Sequence, residues 1–103
     1  MSSGKIFSRG GPALPIAASG DGAYITDKSG RRYLDAAGGA IVVGIGHGRR
    51  AVADAAAAQM AKIAYAHGSA FTAETLDAWA SEVGPLLPMK DPSLYPVSGG
   101  SEA

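Results

Sequence analysis

The chain has 103 residues, 47% hydrophobic and 17% charged, the make-up of a soluble globular protein with the length of one modest domain. Nine basic and nine acidic residues cancel with no long run of either sign, which argues against a nucleic-acid face or an acidic tail. The absence of Cys excludes disulfides, thiolate metal ligands and Cys nucleophiles, and it agrees with a reducing cytoplasm. The aliphatic content leans on Ala and Gly, which bury little area each, so a thin core is expected.

Met1 to Ser19 carries Gly4, Gly10, Gly11, Pro12 and Pro15 without a period and reads as an irregular arm. Its first eleven residues are polar and glycine-rich, without the apolar core of a secretory signal. Next, Tyr24 and Ile25 on one side and Tyr33 and Leu34 on the other flank Asp27 to Gly30, which predicts a β-hairpin closed by an Asp/Ser/Gly turn. A two-stranded hairpin is marginal alone and must lean on something else.

Ala36 to Gly48 places five glycines in thirteen residues. Two readings stand side by side: a buried loop packed against a neighbour, or a pocket wall. The longest apolar run, Ala36 to Gly46, is about half of the roughly 20 residues a membrane-spanning helix needs.

From Arg49 to about Ala66 the Ala-rich sequence predicts a helix, with Val52, Ala56, Met60 and Ile63 on one face and Met60 directed to the core. A second helix is expected after Thr72, the candidate N-cap, with Glu74 in its first turn and an apolar stripe of Leu76, Trp79, Ala80, Val83 and Leu87. Pro85 disfavours a helical Gly84, so a break is expected there. Pro88 and Pro92 bracket a surface connection to a strand over residues 93–97.

The chain then reads Ser98-Gly99-Gly100-Ser101-Glu102-Ala103. Two consecutive glycines let backbone N–H groups approach a ligand closely, and Ser101 adds a hydroxyl. With a helix beginning beyond it this is the construction of an anion site; the other reading is an ordinary turn with Ser101 as N-cap. His47 and His67 sit beside glycines in separate loops, without metal-ligand spacing or a partnered nucleophile, and read as capping or packing residues. Lys5, Lys28, Lys62 and Lys90 fall in the arm, a turn, a polar helix face and a proline-bracketed loop, and none reads as the desolvated amine that Schiff-base chemistry uses. No catalytic residue and no metal site is assigned from the residues.

Four segments, taken in order, resemble the N-terminal portion of the class III aminotransferases, which use pyridoxal 5′-phosphate (PLP) and have fold type I. They are Gly22 to Asp35; Gly38-Gly39 with Gly46-His47-Gly48; Ala64 to Thr72; and Val97 to Ala103. The resemblance implies an α/β fold, represented here by an α+β fragment: one incomplete unit made of an arm (1–19), a hairpin and Gly-rich loop (20–48), two helices (49–92), and a strand with the phosphate-binding loop (93–103). It implies that Gly99, Gly100 and Ser101 grip the PLP phosphate and that Glu102 supports that loop. It places Ile41 on the substrate side of the pocket and Phe71 near the active site, often across the dimer interface. Arg49-Arg50 stands where the family usually has His-Pro, and Pro96 where a strand residue is expected; proline cannot donate a ladder hydrogen bond.

The implied activity is transfer of an amino group from an amine or amino acid to a keto acid, by a cytoplasmic homodimer without nucleic-acid or membrane partners. The family's Schiff-base lysine and pyridinium-pairing aspartate lie beyond the matched segment, so the chain alone is expected to be inactive. A different class of reading is a non-enzymatic truncated remnant that pairs with an intact subunit. Relatives of the same architecture also run decarboxylation and aminomutase chemistry.

Overall fold

The computed structural model describes residues 11–103, so the first ten residues of the expected arm, Lys5 included, lie outside the described residues. The described chain divides into two compact units, with the boundary between Ala58 and Gln59, inside a helix; length alone suggested one unit.

The first unit is built on a three-stranded antiparallel sheet in the order β1 (Ala17–Asp21), β2 (Tyr24–Asp27), β3 (Arg32–Leu34). The expected hairpin is β2–β3, in the register Tyr24↔Leu34, Ile25↔Tyr33, Thr26↔Arg32. Asp27 fixes its turn. One carboxylate oxygen accepts from the Ser29 N–H (2.9 Å), the Ser29 hydroxyl (2.6 Å) and the Arg31 N–H (3.0 Å), and the other accepts from the Tyr33 hydroxyl (2.9 Å). Asp27 is 8% exposed, and these four bonds are what make burial of its charge tolerable. On β3, the Arg32 guanidinium lies 3.7 Å from the centre of the Tyr24 ring, a cation–π contact across the pair.

β1 corrects the expected extent of the arm. Ala-Ala-Ser-Gly-Asp has no alternation and few strand formers, so its sequence carries no strand signal. It forms because β2 offers a free edge, to which it pairs from Ala17↔Asp27 to Asp21↔Tyr24 with an irregularity between Ala17 and Ser19. The third strand is the support the hairpin lacked.

Two helices follow. The first runs from Arg50 to Lys62, ending earlier than expected, and the second from Glu74 to Val83. Glu74 and Asp77 occupy the second helix's first turn, where the positive end of the helix dipole favours them. Ala73, in extended conformation, holds the N-cap position without a side-chain bond, so Thr72 does not cap. The helix stops at the predicted place: Gly84–Leu86 tightens into a 3₁₀ turn with Pro85 in its first turn, where a missing N–H costs nothing. Gly84 is buried, and a Cβ there would stand 3.8 Å from Pro92 Cγ.

Residues 93–97 form no strand. A strand exists by pairing; no backbone partner lies along this segment among the described residues, and Pro96 has no N–H to offer one. No hydrophobic side chain among the described residues is buried. Met60, expected in the core, is exposed, and Tyr95 is 88% exposed. No helix is long and apolar enough to cross a membrane among the described residues.

Candidate active-site segments

The glycine-rich stretch after β3 resolves into two parts held on the edge of the sheet. Gly38–Ile41 is one left-handed turn: φ is 57° at Gly38, 61° at Gly39, 62° at Ala40 and 70° at Ile41. The Ile41 N–H reaches the Ala37 carbonyl at 2.8 Å, and Val42 and Val43 both donate to the Gly38 carbonyl. Glycine takes this conformation freely, whereas Ala40 and Ile41 each cost roughly 1–2 kcal/mol there. Ile41 projects from the end of the turn, 96% exposed.

The second part docks by backbone. Gly22 and His47 exchange N–H···O bonds of 3.0 and 2.8 Å, and Asp35 N–H donates to the Ala23 carbonyl at 2.8 Å. The approach is so close that a Cβ on Gly20 would fall 2.6 Å from His47 Cβ, and one on Gly48 would fall 2.9 Å from the Gly20 carbonyl oxygen. This explains the glycines on both sides of the contact better than flexibility does. The Asp35 carboxylate then spans the two parts: one oxygen accepts from the Gly39 N–H (3.0 Å), the other from His47 Nε2 (2.8 Å). With an ionised Asp35 the proton sits on Nε2. The two bonds, the Gly39 N–H foremost, hold the Asp35 carboxyl below the usual aspartate range. Beside this pair lies a cleft of about 290 Å³, lined among others by Ala23, Asp35, Val43, His47 and Arg49; Arg49 Nε donates to the Ile45 carbonyl at its rim. The docked part therefore also lines the cleft, from Val43 to His47, and no residue of the stretch is buried.

In the second unit, the Ala70 and Phe71 N–H groups both donate to the His67 carbonyl, and His67 Nδ1 accepts from the N–H and hydroxyl of Ser69. His67 thus organises a turn from which Phe71 projects, 69% exposed. Farther on, Glu102 N–H donates to the Gly99 carbonyl at 3.2 Å and closes a turn over residues 99–102. Among the described residues the N–H groups of Gly99, Gly100 and Ser101 donate to no protein acceptor, and a Cβ at Gly100 would meet nothing within 4 Å. Glu102 Oε2 stands 3.1 Å from where a Gly99 Cβ would be. Backbone donors plus one hydroxyl, open to solvent, fit a phosphate group. Ile41 belongs to the first unit, Phe71 and Gly99–Ser101 to the second. No hydrogen bond joins Phe71 to the 99–102 turn among the described residues.

The collinear order of hairpin, docked Gly-His loop, helices and Gly-Gly-Ser turn has counterparts in known proteins. The family model for aminotransferase class-III matches residues 6–103. The chain belongs to the class-III aminotransferases. It is 34% identical over 103 residues to the uncharacterized aminotransferase YodT of Bacillus subtilis, covering 100% of this chain and 23% of that protein. It is 33% identical over 99 residues to the probable aminotransferase Rv3329 of Mycobacterium tuberculosis, covering 94% of this chain and 21% of that protein. Among solved structures it superposes on a transaminase from the marine bacterium Virgibacillus with a TM-score of 0.69 at 38% identity, over 74% of this chain and 17% of that one. An amine transaminase from an uncultivated Pseudomonas species, solved in its PLP-bound form, gives 0.69 at 31% identity, over 82% of this chain and 21% of that one. This class-III chain spans about a fifth of the length of the relatives it matches. Its α+β architecture is the one the resemblance implies, and its sheet and turns belong to a transaminase fold.

Proposed function

We propose that this chain contributes the hairpin, part of the pocket wall and the phosphate-binding turn of a PLP-dependent aminotransferase, which moves an amino group from an amine or amino acid to a keto acid. The observation that carries the reading is the Gly99–Glu102 turn, whose three consecutive N–H groups have no protein acceptor among the described residues, within a chain that matches the class-III family from residue 6 to 103. PLP, when bound, supplies an electron sink for the carbon that bears the amino group. In this assignment the N–H groups of Gly99 and Gly100 and the Ser101 hydroxyl donate to phosphate oxygens, and so orient the ring without taking part in proton transfer. Ile41, apolar, gives the substrate side its shape and adds no charge; Phe71 supplies an aromatic wall. A cytoplasmic homodimer is part of the same reading. The Cys-free composition supports the first half of it, and the exposure of Phe71 supports the second.

Lys28, Lys62 and Lys90 are all exposed, without the desolvating pocket that Schiff-base chemistry uses. PLP mixed with the purified chain, reduced with borohydride and read by peptide mass mapping, is expected to leave no stoichiometric lysine adduct. A single full-occupancy adduct on Lys62 or Lys90 would show that the chain carries its own Schiff-base lysine and would overturn the division of labour proposed here.

A further inference from the structure

The left-handed turn Gly38–Ile41 places two residues with side chains, Ala40 and Ile41, in a conformation that L-residues rarely adopt. Strain of this kind persists only where surrounding structure over-determines it. What surrounds it is specific. Asp35 is anchored to the sheet through its own N–H on the Ala23 carbonyl, and its carboxylate holds the Gly39 N–H inside the turn. The other carboxylate oxygen is fixed by His47, whose backbone is paired with Gly22 and whose ring lies against Gly20 with no room for a Cβ between them. The chain is therefore one relay: sheet edge to His47, His47 to Asp35, Asp35 to the strained turn, and the turn to Ile41.

We infer that Asp35 and His47 are a positioning pair that holds residues 38–41 left-handed and thereby fixes where Ile41 stands. On the assignment of Ile41 to the substrate side made above, the pair sets the pocket's shape at that point without touching substrate. It does so through an oxygen acceptor for a backbone N–H within the turn, a bond lost when that acceptor is removed.

The test needs neither cofactor nor substrate, so it fails or succeeds independently of the proposed activity. A positive φ brings a residue's own amide and Hα protons close, which gives an intense intraresidue cross-relaxation peak in the NMR spectrum of the full chain. The intact chain is expected to show that peak at Ala40 and Ile41. Asp35→Ala and His47→Ala are expected to reduce it severalfold at Ile41, while the cross-strand peaks of Tyr24 with Leu34 and Ile25 with Tyr33 remain. Asp35→Asn, which keeps an acceptor for the Gly39 N–H, retains the Ile41 peak. Adding Ala40→Gly to Asp35→Ala removes half of the strain and restores part of it. If Asp35→Ala also erases the hairpin peaks, the Asp35→Asn variant decides, since its loss of the Ile41 peak in a folded hairpin overturns the inference. An Ile41 peak that is absent from the intact chain, or undiminished by Asp35→Ala, overturns it equally.

Discussion

Gly20 is the residue whose role is clearest in the structure and least visible in the sequence. It sits in a strand without any strand signal, and its missing Cβ is the space that the His47 ring fills. Gly20→Ala brings a methyl to 2.6 Å from His47 Cβ, with backbone pairing on both sides opposing any shift. Overpacking of this kind costs about 1–3 kcal/mol. The expected outcome is faster hydrogen exchange at the Gly22 and His47 amides, with the β2–β3 amides unchanged. His47 itself read as a capping or packing residue, and it is one, but its partner Asp35 lies twelve residues earlier and nothing in their spacing pairs them. Such contacts across a docked loop depend on tertiary approach, which local sequence does not encode.

At the scale of elements, the hairpin was legible because its information is local: strand formers on both sides of an Asp-Lys-Ser-Gly turn, with Asp27 supplying the acceptor. Its pH dependence follows from the same residue. The Ser29 hydroxyl first, then the Tyr33 hydroxyl and the Arg31 and Ser29 N–H groups, hold the Asp27 carboxyl below its ordinary range, against the opposing effect of burial. A carboxyl lowered on folding stabilises the fold above its unfolded pKa of about 3.9, and that stability is lost as pH falls through the folded value. Tyr33 runs the other way. The bond to Asp27, first among its causes, raises the phenol, so its contribution is present below about pH 10 and lost as pH rises through the folded pKa. Cross-strand NMR peaks of the hairpin are therefore expected to hold steady between about pH 5 and 9 and to weaken below about pH 4 and above about pH 10. Peaks that persist undiminished at about pH 2 would contradict the role given to Asp27. The two helices were also legible, from Ala content and from the break at Gly84-Pro85, whereas the strand expected over 93–97 was not formed. Its extended sequence is real, but pairing decides a strand, and Pro96 withdraws the donor.

For the whole molecule, the notable quantity is what stays uncovered. Leu14, Ile41, Leu86 and Tyr95 are exposed, and no hydrophobic side chain among the described residues is buried. Monomeric proteins seldom leave apolar side chains this open across every element. The relatives are four to five times longer than the segment matched, and we propose that such side chains meet the remainder of a full-length aminotransferase or its dimer partner. Family membership was legible because four short motifs survive in order. The proposed site comes from the sequence only as positions, Ile41, Phe71 and Gly99–Ser101 by resemblance, while the strained turn and the Asp35–His47 pair that carry Ile41 came from the structure.

The most direct test joins the two. A chimera in which this chain replaces the matched segment of the Bacillus subtilis relative sets the proposed phosphate turn, unaltered, within a full-length aminotransferase. The chimera is expected to bind PLP and to transaminate, and Ser101→Ala within it to weaken PLP binding by about tenfold or more, the loss of one hydrogen bond to a charged group. A folded chimera that takes up no PLP, or one whose affinity for PLP is untouched by Ser101→Ala, would contradict the assignment of Gly99–Ser101 as the phosphate-binding turn.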